Sequence, residues 1–280
     1  MASRLKDRVA VITGGGDGIG KETALAMAAE GASIVINDIA RGDADKVVDE
    51  IKKAGGSAAA NYDSVVTMEG GEAIIATAVS NFGRVDILVN CAGNFQAIPT
   101  LDVTEDIWES IIGVHLKGHF SCAKAALTEM VKQKHGRIIN ISSRAAVFGP
   151  ASLPYSAAKA GILGMTSMLS EEQKGNGITV NVLLPSAHTK LFSGPVPAMD
   201  DHIPVAADRG PDFVAPIITY LATDEAKDIT GRYIYASGGD ICFYAHPFQL
   251  TGRSHMFTRK VGKWTLDELT EAVPTLLDLN

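Results

Sequence analysis

Short apolar runs rich in β-branched residues alternate along the chain with longer stretches whose apolar positions recur every three or four residues. "RVAVITG", "ASIVINDI", "VDILVNCAG", "GRIINISS", "ITVNVLLP" and "GRYIYASGG" read as strands that end in small or polar residues. "IGKETALAMAAEG", "DADKVVDEIKKAGG", "GEAIIATAVSNFG" and "HFSCAKAALTEMVKQKHG" read as helices between them, and a weaker strand, "SAAANYDSV", fits between the second and third. Because the strands are apolar at nearly every position, both faces of their sheet must be covered. The pattern predicts an α/β fold, a doubly wound and mostly parallel sheet of seven strands.

Two regions break the rhythm. Residues Ser186 to Asp212 are rich in Pro, Gly, Asp and His, and a connection of that length in a compact domain is often a binding loop. Residues 241–280 continue past the last strand, with a capping box in "TLDE" (Thr265 to Glu268) opening a short helix that ends near Pro274. The expected organisation is one dinucleotide-binding and catalytic domain over residues 1–240. A C-terminal extension over 241–280 would pack on the domain or on a subunit interface.

The bulk properties narrow the chemistry. The chain has 280 residues, 46% hydrophobic and 20% charged, enough to bury a full core. A formal charge of −7 argues against a nucleic-acid surface or a polybasic membrane anchor. Cys91, Cys122 and Cys242 are odd in number and widely spaced, which disfavours a disulfide framework or a metal site and fits a reducing compartment. With no leader-like start and no apolar run of about 18 residues, a cytoplasmic protein is expected.

The first strand runs into "GGGDGIG" and then a helix. Gly14, Gly18 and Gly20 permit a tight turn and close backbone approach, and the helix N-terminus behind them suits a pyrophosphate. Such a turn is also common as a purely structural device. Asp38, at the end of the second strand, can accept hydrogen bonds from both ribose hydroxyls of an adenosine and would repel a 2′-phosphate. Asp17 adds negative charge in the same neighbourhood, so NAD is expected over NADP. In "YSAAK", Tyr155 and Lys159 stand four positions apart, which on a helix places a phenol and an ammonium on one face.

Taken in order, the TGxxxGxG turn, "NCAG", "SS" and "YSAAK" resemble the short-chain dehydrogenase/reductase family, over roughly residues 6 to 240. The resemblance implies a Rossmann fold and hydride transfer between NAD and a secondary alcohol or ketone. A homotetramer is also implied. Tyr155 would be the catalytic acid/base, and Lys159 would favour its phenolate and hold the nicotinamide ribose. A serine would hydrogen-bond the substrate oxygen; alignment from the strand selects Ser143, whereas the family's usual spacing to Tyr155 selects Ser142, and the strand is the steadier guide.

Implied cofactor contacts come from Gly14, Asp17, Gly18, Ile19, Gly20, Asp38, Asp63, Ser64, Asn90, Ala92, Gly93, Tyr155, Lys159 and Thr189. No metal is implied. Where many members carry a relay Asn in a pattern like NLKG, this chain has "VHLKG", so His115 stands there. An imidazole can hold a relay water and titrate near neutral pH, and it can equally be a packing residue.

"VHLKG", "PDFVAP" and "KWTLDEL" are similar to the 3-hydroxyacyl-CoA dehydrogenase branch of the family, found in peroxisomal multifunctional enzyme type 2 and bacterial relatives. That makes a 3-hydroxyacyl thioester the leading specific substrate. The competing functions are an NADPH-dependent carbonyl reductase and an NAD-binding regulator with a decayed site.

Overall fold

The structure, a computed structural model, describes residues 3–147, 151–191 and 208–244. Most of the Ser186–Asp212 loop and all of the expected capping box at Thr265 lie outside the described residues, as does the 241–280 extension beyond Tyr244.

Each predicted strand is present: β1 Val9–Thr13, β2 Ser33–Asn37, β3 Ser57–Asn61, β4 Ile87–Asn90, β5 Gly136–Ile141, β6 Ile178–Pro185 and β7 Tyr233–Ser237. They form one sheet in the order β3-β2-β1-β4-β5-β6-β7, all parallel. An eighth strand, β8 Asp240–Phe243, returns antiparallel to β7 and is an addition to the expected seven. Its short "DICF" follows two glycines and alternates too briefly to show a strand period in the sequence.

The helices are α1 Gly18–Ala29, α2 Arg41–Lys53, α3 Met68–Phe82, α4 Glu105–Ile112, α5 Gly118–Gln133, α6 Leu153–Glu172 and α7 Ala215–Leu221. The inner strands are buried on both faces, the edge strands β3 and β8 only in part, and alternate residues feed separate cores. Ala10 and Ile12 of β1 pack with α1, α2 and α7, while Val9 and Val11 pack with α3 and α5. Among the described residues no helix is long and apolar enough to cross a membrane.

The strand order reverses about β1, whose neighbours are β2 and β4, and in doubly wound sheets the carboxyl ends of the strands at such a point are where ligands bind. A row of polar side chains marks this edge. Asn61, Asn37, Thr13, Asn90 and Asn140 stand in register across five strands and are all buried. The row is hydrogen-bonded rather than stranded. Asn37 donates to Asn61 at 2.9 Å, Asn90 to Asn140 at 3.0 Å, and Asn140 to the Thr166 hydroxyl at 3.0 Å. The Thr13 hydroxyl accepts from the backbone N–H groups of Cys91 and Ala92, each at 3.1 Å, and so ties the "NCAG" turn to β1.

Candidate active site

The glycine turn sits at the mouth of the crevice. Gly14 adopts φ +64°, and a Cβ there would fall 2.8 Å from the Ala92 Cα; a Cβ on Gly20 would collide with the Gly14 carbonyl oxygen. Only glycine allows α1 to approach the "NCAG" backbone this closely. Asp17 is the N-cap of α1, yet its side chain makes no cap hydrogen bond and pairs with Lys190 at 3.1 Å. The first N–H groups of α1, including those near Ile19, are thus left for a ligand.

Asp38 is held by two backbone donors, Gly16 N–H at 3.1 Å and Ala40 N–H at 2.9 Å. Its carboxylate is fixed beside the glycine turn. Arg41, the first residue of α2, stacks its guanidinium 4.5 Å above the Tyr62 ring. Asp63 and Ser64 are exposed after β3, with Asp63 accepting from Asn61 at 2.8 Å. Thr189, after β6, lies with its methyl 3.4 Å from the position of a Cβ on Gly18, which brings the loop after β6 to the turn. Asn90 points into the sheet, where it donates to Asn140 and to the His119 carbonyl at 3.3 Å, so its part here is structural support. These residues suit a dinucleotide: uncapped donors for the pyrophosphate, a fixed carboxylate for a ribose, and a close backbone approach.

Farther along the crevice, α6 presents Tyr155 and Lys159 on one face, with the ammonium 5.5 Å from the phenol ring centroid. Both are buried. Burial pushes the phenol above its ordinary value, and a hydrogen bond with Ser143 pulls it back in part. Ser143 is the partly exposed serine, while Ser142 is buried and donates to the Lys159 carbonyl at 2.8 Å. The structure therefore turns Ser143 toward Tyr155. Burial lowers Lys159 to about 8, and its ammonium donates to the Ile141 carbonyl at 2.7 Å.

The Tyr155 ring is wedged edge-on between Phe95 at 5.2 Å and His115 at 5.0 Å. Phe95 carried no sequence signal, because its contact spans sixty positions of chain and no motif names it. His115 lies in a π-helical turn, Gly113–Lys117, that joins α4 to α5, a distortion that often marks functional sites. Its Nε2 is 2.7 Å from the Asn94 carbonyl, and its Nδ1 is buried without a protein partner. Gly93 leaves the space for this ring, since a Cβ there would be 2.6 Å from His115 Cε1.

The expectation that His115 titrates near neutral pH is corrected. Burial first, and then the Lys159 charge, lower it to about 3. The ring is neutral at working pH and can serve only as a neutral donor and acceptor. A stability effect follows. An unfolded histidine takes up a proton near pH ~6.5, whereas the folded His115 does so only near pH 3, so stability drops as pH falls through this window. His115→Asn is expected to flatten the decline of the thermal midpoint between about pH 6.5 and 4, by up to one proton's worth of slope. An unchanged slope would show the ring to be protonated in the folded protein.

The family model described as short chain dehydrogenase matches residues 8–192. The Drosophila melanogaster peroxisomal multifunctional enzyme type 2 is 39% identical over 246 residues, covering 84% of this chain and 40% of that enzyme. The chain thus spans well under half of that relative. A Thauera aromatica protein, the (2S)-[(R)-hydroxy(phenyl)methyl]succinyl-CoA dehydrogenase subunit BbsD, is 39% identical over 248 residues, covering 85% of this chain and 98% of the subunit. Among solved structures, a short chain dehydrogenase from Mycobacterium avium superposes with a TM-score of 0.82 at 36% identity, covering 98% of this chain and 95% of that one.

Proposed function

This chain belongs to the short-chain dehydrogenase/reductase family of oxidoreductases, and from that premise we propose that it transfers hydride between NAD and the carbinol carbon of a 3-hydroxyacyl thioester. The observation that carries the reading is the convergence of Ser143, Tyr155 and Lys159 at the carboxyl end of β5. NAD supplies the hydride acceptor. The chain's own residues manage the proton and the orientation. Ser143 holds the substrate oxygen, Tyr155 Oη takes the alcohol proton, and Lys159 stabilises the resulting phenolate. The buried phenol is a weak acid by itself, so a cation beside it is what brings proton removal within reach. In the reducing direction the same Oη returns the proton.

The thioester is favoured by the dehydrogenase function in the name of the Thauera relative, whose substrate carries a hydroxyl and a coenzyme A thioester. It is also favoured by the "VHLKG" and "PDFVAP" signatures. A homotetramer, which follows the family pattern, and a cytoplasmic location complete the reading; sedimentation and cell fractionation measure the two parts.

Asp38 supports NAD over NADP, because a 2′-phosphate would be placed against a carboxylate that two backbone donors hold in place. Steady-state turnover of a panel of 3-hydroxyacyl thioesters and simpler secondary alcohols with each cofactor tests substrate and cofactor together. NAD is expected to be preferred, and Asp38→Ala to narrow the gap by about tenfold. Equal turnover with NADP in the parent would overturn the cofactor assignment, and activity confined to simple alcohols would overturn the thioester.

A further inference from the structure

Lys190 follows Thr189 in the segment after β6, and its ammonium reaches the Asp17 carboxylate at the N-terminus of α1, 3.1 Å away. We propose that Lys190 is an affinity-determining residue for the dinucleotide, acting by neutralising Asp17 beside the pyrophosphate. The inference rests on the glycine turn being the dinucleotide site, as proposed above.

The charges around the turn call for such a residue. A pyrophosphate at the first N–H groups of α1 is an anion, and three carboxylates stand about that position. Asp38 accepts from the Gly16 N–H at 3.1 Å. A Cβ on Gly16 would lie 2.9 Å from Asp38 Oδ2 and 3.1 Å from the Asp43 Cβ. Asp38 has its use at the ribose, and Asp43 is paired with Lys46 at 3.0 Å. Asp17 stands at the N-cap of α1 without a side-chain cap hydrogen bond. Lys21 of α1 pairs with Glu50 at 3.0 Å, and Arg41 stacks on the Tyr62 ring. Asp17 is left to Lys190.

The backbone that carries the lysine is anchored. His188 N–H donates to the Arg209 carbonyl at 2.8 Å, and Arg209 Nη2 donates to His188 Nε2 at 2.9 Å. Thr189 places its methyl 3.4 Å from the position of a Cβ on Gly18, so Lys190 starts beside the turn it serves. Both side chains of the pair are largely exposed, at 77% and 45%, and an ion pair of that kind contributes little to the fold. Its consequence is for an anionic ligand. An unpaired carboxylate at the helix N-terminus would compete with a pyrophosphate for the positive dipole end and repel it. With an ammonium against it, most of that field is cancelled. Asp17 in turn holds the ammonium above its ordinary value, so the lysine is charged throughout the neutral range.

The signs of three substitutions follow. Removing the lysine exposes the acid and weakens NAD binding. Removing the acid alone takes away the repelling charge and leaves the ammonium, so binding is at least as tight as in the parent. Removing both returns binding close to the parent. A lysine that instead touched the pyrophosphate itself would cost the same affinity with or without Asp17.

The test is titration with NAD, followed by quenching of protein fluorescence, at ionic strengths of ~0.02 M and ~0.5 M. Lys190→Met is expected to weaken binding about fivefold at the lower ionic strength. Lys190→Arg and the double variant Asp17→Asn/Lys190→Met should stay within about twofold of the parent, and Asp17→Asn should bind no more weakly than it. At the higher ionic strength the Lys190→Met defect should shrink below about twofold, a change that a packing role would not show. Parent-like affinity in Lys190→Met would overturn the proposal. So would a double variant as weak as Lys190→Met, a Lys190→Arg variant as weak, or a defect that persists at the higher ionic strength. Thermal midpoints equal to the parent's are expected for all of them, since both positions are exposed. Repeating the titrations with NADP separates the two readings, because the pyrophosphate is common to both cofactors. If the parent prefers NADP, the assignment of NAD falls, and the coupling between Lys190 and Asp17 read with NADP still decides this inference.

Discussion

Tyr155→Phe is expected to lower kcat by about 10²-fold or more while NAD binding stays near the parent value. The substitution is nearly silent for packing. The ring sits between Phe95 and His115, both edge-on, and a phenyl group keeps those contacts. What disappears is the hydroxyl that meets Ser143, with its phenolic proton, beside the Lys159 ammonium. The buried phenol holds its proton more tightly than one in water, so its catalytic use depends on neighbours that stabilise the phenolate at the moment of transfer. Without the hydroxyl, the proposed acceptor of the alcohol proton is gone. Measuring kcat at saturating substrate, with NAD affinity followed by quenching of protein fluorescence, separates the two effects. A kcat within threefold of the parent would mean that another group carries the proton.

The legibility of this chain divides along a physical line. Properties that repeat locally were readable. Apolar strands with a covered sheet, glycine at a turn where a Cβ cannot fit, and a phenol and ammonium one turn apart all leave a signal within a few residues. Even the weakly patterned "SAAAN" forms a strand, β3.

What could not be read depends on partners distant in the chain. Thr13 and the asparagine row are ordinary strand-end residues until register aligns them across five strands. Phe95, in the stretch after β4, acquires its place only when the fold brings it edge-on to Tyr155 of α6. The charge state of His115 is the sharpest instance. Its residue type suggested titration near neutrality, whereas burial and the Lys159 charge, neither visible in "VHLKG", decide the opposite.

The two serines at the end of β5 show the same division within adjacent positions, and their substitution yields the second large effect. Ser143→Ala is expected to cost about 10²-fold or more in kcat, because it deletes the hydroxyl that lies beside Tyr155 and that the proposed reaction uses to hold the substrate oxygen. Ser142→Ala should act differently. That hydroxyl is buried and donates to the Lys159 carbonyl, so its loss removes a buried hydrogen bond that ties the end of β5 to α6 and lowers stability by about 1 kcal/mol, with a smaller change in kcat. Sequence spacing from Tyr155 and strand register gave opposite answers here. Strand pairing separates the two side chains: Ser142 N–H continues the ladder to the Leu183 carbonyl at 2.7 Å, which turns its side chain inward, and Ser143 begins the turn that follows. Paired measurements of kcat and thermal midpoint on the two variants should therefore split, with Ser143→Ala losing rate and Ser142→Ala losing stability. If Ser142→Ala instead shows the larger loss of kcat at an unchanged midpoint, the substrate oxygen lies against Ser142, and the assignment of Ser143 is wrong.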